Sequence, residues 1–122
     1  MSIEKIADLD LEKTGFAHTL GLIGGKYKIM ILYCLVEAGI IRYNELKRCI
    51  KKISHKTLSA TLKELEADGL VHRKEYHQIP PKVEYSLTEL GKSVMPVIDS
   101  MCCWGEEHMT QHRAKTNGCD IQ

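Results

Sequence analysis

Six hydrogen-bond donors stand close together in this chain: Ser54, His55, Lys56, Thr57, Ser59 and Lys63, all within ISHKTLSATLKELEADGL, residues 53–70. Hydroxyls, an imidazole and two ammonium groups in this order form no catalytic set, but they suit an anionic surface. Between them Leu58, Leu62 and Leu65 recur at i, i+4 and i+7, which predicts a helix with one apolar face. The other face then carries His55, Lys56, Ser59, Ala60, Lys63 and Ala67. Ser54 is placed to cap the helix, its hydroxyl accepting from an orphan backbone N–H, and Asp68-Gly69 stops it. Glu64, Glu66 and Asp68 gather at the far end, against the usual preference of the helix dipole. The first two turns are thereby left free of acids. Such a helix can present its N–H groups to phosphate and its Ser, Thr and Lys side chains to base edges. The residues alone leave open a second reading, an ordinary solvated face.

A second set of donors, Arg73, Lys74, His77 and Lys82, surrounds the stretch HQIPP at 77–81. Residues 82–87 alternate cleanly, with Val83, Tyr85 and Leu87 on one face, and residues 70–76 alternate loosely. The prolines exclude ladder pairing between them, so two strands joined by a loop are expected. A basic hairpin tip can straddle a phosphate backbone or enter a minor groove; a solvated turn is the plainer alternative. Charge follows the same map. Residues 42–82 hold ten Lys/Arg and five Asp/Glu, whereas residues 1–41 sum to −1 and residues 83–122 to −3, for a net +1. A basic middle between acidic ends points to an anionic partner met by the middle.

Other chemistries are poorly supplied. His108 and His112 lie i, i+4, with Cys102, Cys103 and Cys119 near in sequence, but no four-ligand spacing emerges and no metal or other cofactor is expected. Gly24-Gly25-Lys26 lacks the rest of a phosphate-binding loop. No nucleophile–base set or carboxylate pair stands out, so an enzyme is not expected. The five cysteines, 34, 49, 102, 103 and 119, are an odd number without framework spacing and are expected reduced. Cys34 reads as a small core residue. Cys49 sits among Lys47, Arg48, Lys51 and Lys52, and neighbouring cations make a thiol reactive. Cys49, Cys102 and Cys103 are the redox candidates.

These groups need a scaffold. A chain of 122 residues, 43% hydrophobic and 27% charged, makes one domain with a modest core. It contains no apolar run of about 20 residues that would span a bilayer, and residues 1–15 are too mixed and acidic for a signal peptide. A cytoplasmic protein is expected. Phe16, Leu20 and Ile23 predict a helix over 12–23, broken by Gly24-Gly25. Residues 26–38 are apolar too broadly for one stripe, so this helix should be buried on more than one side, and Gly39 ends it. Ile40-Ile41-Arg42 is extended, and Asn44 is the expected cap of a helix carrying Leu46 and Ile50. Thr88 should cap a last long helix over about 88–110, with Leu90, Val94, Val97, Ile98, Met101 and Trp104 at helical spacing and a bend at Pro96. Three helices and then a β-hairpin make a winged helix-turn-helix, mainly α with a small β wing (α+β), over residues 1–112. Residues 113–122 read as a flexible tail.

LIGGKY (22–27), RYNELKR (42–48), ISHKTLSATLKELEADGLVHR (53–73), PPKVEYSLTELGKS (80–93) and MPVIDSMCCWG (95–105) together resemble the HxlR-type regulators, a branch of the MarR-like winged-helix transcription factors. The resemblance covers about residues 14–106. It implies a bacterial homodimer on an inverted-repeat operator in double-stranded DNA. The first and last helices would supply the dimer contacts, here Phe16 and Leu20 with Val94, Val97, Ile98, Met101 and Trp104. Many such proteins carry a sensor cysteine eight positions ahead of the LIGGK-like motif. Thr14 stands there, so an oxidant response would need another thiol, and a small-molecule effector is the other option. Ala60-Thr61 stands where relatives often carry Gln-Arg, which implies either a different operator preference or weaker binding. The rival reading is a winged helix that binds protein without DNA specificity.

Overall fold

The computed structural model describes residues 3–8 and 10–109. The expected tail at 113–122, with Cys119, and His112 just before it lie outside the described residues. The elements run α1 (Ile3–Ala7), a single 3₁₀ turn (Leu11–Lys13), α2 (Gly15–Ile23), α3 (Lys26–Ala38), β1 (Ile40–Arg42), α4 (Tyr43–Cys49), α5 (His55–Ala67), β2 (Val71–Tyr76), β3 (Lys82–Leu87), α6 (Glu89–Ser93) and α7 (Met95–Met109). The three strands form one antiparallel sheet in the order β1-β3-β2. The extended stretch at 40–42 is therefore the third strand of the wing sheet, pairing Ile41 with Tyr85. Helices α4 and α5 and the turn between them are the expected helix-turn-helix, and β2–β3 is the wing.

One core holds these elements together. Ile31, Leu32 and Leu35 of α3, Leu46 of α4, Leu58, Leu62 and Leu65 of α5, and Leu70, Val71, Tyr85 and Leu87 around the sheet are all buried. The three leucines of α5 do what their spacing predicts. Gly69, at φ +80°, takes the left-handed conformation that ends α5 and turns the chain into β2. The junction after β3, at the same end of the sheet, is equally tight. Thr88 Oγ1 donates to the Gly69 carbonyl at 2.6 Å and accepts from Gly91 N–H at 3.0 Å, and Thr88 N–H donates to the Leu70 carbonyl at 3.1 Å. A Cβ on Gly91 would collide with that Leu70 carbonyl, so only glycine lets α6 lie this close to the start of β2.

Several expectations are corrected. The helix over 12–23 is split, because Thr14 closes the 3₁₀ turn by donating to the Leu11 carbonyl at 2.7 Å and caps α2 by accepting from Ala17 N–H at 3.3 Å. Helix α4 begins at Tyr43 rather than after Asn44; Glu45 Oε1 accepts from Arg42 N–H at 2.9 Å, which satisfies the first orphan donor from within the helix. Thr88 caps the short α6, and the chain breaks at Val94 before α7 starts. Pro96 falls in the first turn of α7, where its missing N–H costs nothing, so a break stands in place of a bend. Within the chain, α3 is buried on one side only: Met30, Tyr33 and Val36 remain exposed. Ile98, expected at a dimer face, is 2% exposed and belongs to the core.

No single helix among the described residues is long and apolar enough to cross a membrane. Helices α2 and α3 together have the length but meet at a 76° bend.

Candidate nucleic-acid interface

The N-terminal half of α5 is built on its cap. Ser54 Oγ accepts from Thr57 N–H at 3.0 Å and donates to Thr57 Oγ1 at 3.0 Å. Both hydroxyls are thereby engaged in starting the helix, and Thr61 Oγ1 donates to the Thr57 carbonyl at 2.7 Å. Tyr43, at the first residue of α4, reaches across the turn. Its ring stacks on His55 with centroids 5.8 Å apart and planes 14° from parallel. Its hydroxyl lies 3.2 Å from His55 Nδ1, 3.1 Å from the His55 carbonyl and 3.1 Å from Ser59 Oγ. One phenol thus fastens the first two turns of α5 to α4. Lys56 and Lys63, both exposed, make no ion pair among the described residues, so their ammonium groups are available to an anionic partner.

A second clamp sits at the other end of the helix. Lys28 of α3, with only 11% of its side chain exposed, pairs with Glu64 of α5 at 2.6 Å and donates to the Gly21 carbonyl of α2 at 3.2 Å. At least one of the late acids therefore has a structural partner and is not simply held away from a ligand. Neither Tyr43 nor Lys28 stood out in the sequence, since both act across helices and no local period marks them.

The wing donors divide between the two faces of the hairpin. Arg73, opposite Tyr85 in the ladder, lines a cleft with Tyr43, Ser59, Lys63 and Glu66, between α5 and the sheet. Hydrogen bonds from Arg73 to Tyr85 and then to Glu75, the latter at 3.1 Å, hold its guanidinium still more firmly in the charged form. Lys74 and Lys82 lie on the opposite face, over the Tyr76 ring at 4.9 and 4.3 Å. Glu84 accepts from the Tyr76 hydroxyl at 2.9 Å and pairs with Lys82 at 3.7 Å. Tyr76, unnoticed in the sequence, is the platform that keeps both lysines together. His77 is exposed in the loop, and Ile79 at its tip is completely exposed.

The exposed apolar residues are concentrated elsewhere. Phe16 and Leu20 of α2, and Val97, Met101 and Trp104 of α7, are each 44–66% exposed. Val94 packs against the core. Trp104 stacks on His108 at 4.0 Å. A cavity of about 780 Å³ opens between α3, the end of α4 and α7; Tyr27, Tyr33, Cys34, Cys49, Ile98 and Cys102 are among its walls. Cys49 is exposed, while Cys34, Cys102 and Cys103 are half-buried. Burial and the adjacent Cys49 push the Cys34 thiol upward. No group of three or more metal-ligating side chains occurs among the described residues.

The HxlR-like helix-turn-helix family model matches residues 22–113. The chain is 56% identical over 96 residues to the HTH-type transcriptional regulator BH0655 of Halalkalibacterium halodurans, covering 79% of this chain and 85% of that one. It is 57% identical over 90 residues to the HTH-type transcriptional regulator YdzF of Bacillus subtilis, covering 74% and 83%. Among solved structures it superposes on the redox regulator HypR in its reduced form with a TM-score of 0.76 and 43% identity, covering 82% of this chain and all of that one.

Proposed function

We propose an operator-binding mechanism from the premise that this chain belongs to the HxlR-like helix-turn-helix family and is a transcriptional regulator, not an enzyme. In this reading two copies pair through the exposed apolar faces of α2 and α7 and bind an inverted repeat in double-stranded DNA. The observation that carries it is the pair of unengaged ammonium groups, Lys56 and Lys63, on a capped helix with an acid-free N-terminus. The N–H groups and dipole of α5 face phosphate, and Lys56, Lys63 and the edge of His55 reach into the major groove. Ser54 and Thr57 shape the helix end, and Ser59 is held by Tyr43. Lys74 and Lys82 on their Tyr76 platform, with His77, meet the flanking backbone or minor groove. Arg73 guards the cleft between helix and wing.

A two-fold pair with one recognition helix per subunit reads half-sites about one helical turn, ~10 bp, apart. The protein then acts in the cytoplasm, where the DNA is. Its effector is an oxidant acting on a thiol or a small molecule, and the similarity to a redox regulator favours the oxidant.

Selection from a random duplex pool tests the reading. Enrichment of an inverted repeat, with affinity falling steeply between about 50 and 200 mM salt, is expected. Failure to retain any duplex at low salt overturns it and leaves the winged helix as a protein-binding module.

A further inference from the structure

No large apolar side chain among the described residues is as exposed as Ile79, at 100%. A single exposed isoleucine is ordinary on a protein surface, so its setting decides what it means. The strands of the wing close on the tip at the Tyr76–Lys82 pair. Directly behind the tip, Lys74 and Lys82 gather over the Tyr76 ring, and Glu84 ties the Tyr76 hydroxyl to Lys82. The tip itself is poor in backbone donors. Pro80 and Pro81 have no N–H, and the Gln78 N–H donates to the Tyr76 carbonyl at 3.1 Å. Ile79 is therefore an apolar point on a braced, cationic stem. The other exposed apolar residues near the sheet lie at its far end: Ile40 pairs with Ser86, four residues along β3 from Lys82, and Leu90 follows β3 in α6. Ile79 thus belongs to no patch approaching the ~800 Å² per side that a stable protein interface needs.

We propose that Ile79 is a wedge, entering the minor groove beside each half-site and partly unstacking one base step. The shape and the charge suit that place. Sugars line the minor groove and offer an isoleucine apolar contact, while phosphates at its edges meet the two lysines behind the tip. An apolar side chain pushed between base pairs opens the minor groove and kinks the duplex toward the major groove by about 20–90°. Pyrimidine–purine steps yield most readily, so the wing prefers them without reading a hydrogen-bond pattern. The proline rings fix φ on one side of the wedge, which limits the entropy lost on insertion. This deepens the DNA reading by assigning Ile79 a share of the specificity, and it rests on that reading.

Hydroxyl-radical cleavage, which attacks sugars from the minor groove, locates the wing on the selected duplex. Protection by the parent chain is expected both at the half-sites and in a minor-groove flank. In Ile79→Ser the flank protection is lost and the half-site protection stays; the side chain is fully exposed, so the exchange removes no buried surface. 2-Aminopurine placed at the adenines of that flank should brighten with the parent chain and with Ile79→Met, and stay dim with Ile79→Ser. Energy transfer between dyes at the duplex ends should report a bend that Ile79→Ser abolishes. Affinity for the selected duplex should fall on the order of tenfold in Ile79→Ser, with the salt slope unchanged because no phosphate contact is lost. A parent chain that binds the duplex without bending it or brightening the probe overturns the wedge and leaves the DNA reading intact. So does an Ile79→Ser protein that matches the parent in both signals. Failure of the parent chain to retain any duplex overturns both.

Discussion

Two apolar stripes of the molecule follow the same helical rule and meet opposite fates. Leu58, Leu62 and Leu65 on α5 are 0–2% exposed, sealed against α3 and the sheet. Val97, Met101 and Trp104 on α7 have the same i, i+4, i+7 spacing and are 44–66% exposed. Periodicity says that a helix has a face to bury, but it does not say against what. The α5 stripe is answered within the chain, whereas the α7 stripe, like Phe16 and Leu20 of α2, stays exposed. A contiguous exposed patch of large apolar groups marks an interaction site, and a second copy of the same chain is the partner proposed above.

The sharpest test of that contrast truncates one residue from each stripe. Leu62→Ala leaves a cavity in the core and lowers the stability of the folded chain by about 2–5 kcal/mol, read from the midpoint of urea unfolding at a protein concentration held constant. Trp104→Ala has a different signature. It weakens self-association by about 2 kcal/mol, close to 30-fold in the dissociation constant, measured by sedimentation equilibrium. Stability of the monomer, extrapolated to low concentration, changes little. If Trp104→Ala instead unfolds the monomer as Leu62→Ala does, the two stripes are both core and the contrast disappears.

The polar face of α5 offers a smaller effect of another kind. Lys56→Ala is expected to weaken binding on the order of tenfold and to reduce the slope of log K against log salt by about one, the signature of one lost phosphate contact. Fluorescence anisotropy on two unrelated duplexes decides its role. Equal losses on both identify a phosphate contact, and a loss confined to the selected site identifies base reading. No loss on either removes Lys56 from the interface.

What was legible in the sequence follows this division between local and distant causes. The α5 stripe, its Ser54 cap and its Gly69 stop are local, and so are the alternation of Val83, Tyr85 and Leu87 and the prolines that forbid pairing between the strands. The third strand was half visible, because Ile40-Ile41-Arg42 reads as extended but its pairing with β3 spans more than forty residues. The last helix was misread for a physical reason. Its apolar residues form two faces, Met95 and Ile98 inward and Val97, Met101 and Trp104 outward. A single spacing rule merges them. Lys28 against Glu64 and Tyr76 beneath two lysines depend on how separate elements pack, so no period could announce them.

Tyr43 shows how such a distant contact prepares the proposed reading face, and it supports the smallest effect. Removing its hydroxyl in Tyr43→Phe keeps the ring stacked on His55 and takes away the contacts to Nδ1 and the carbonyl of His55 and to Ser59 Oγ. The phenol is partly solvated, so stability falls by only about 0.5–1.5 kcal/mol. The consequence for DNA is more specific. His55 and Ser59 regain rotameric freedom on the face proposed to meet the groove, and fixing them again on binding costs entropy. Binding to the selected site should therefore weaken more than binding to an unrelated duplex, with the salt slope unchanged because no phosphate contact is lost. A Tyr43→Phe protein whose two affinities fall in equal proportion would make Tyr43 a part of the scaffold alone, and specificity would rest on the side chains of α5 without help from α4.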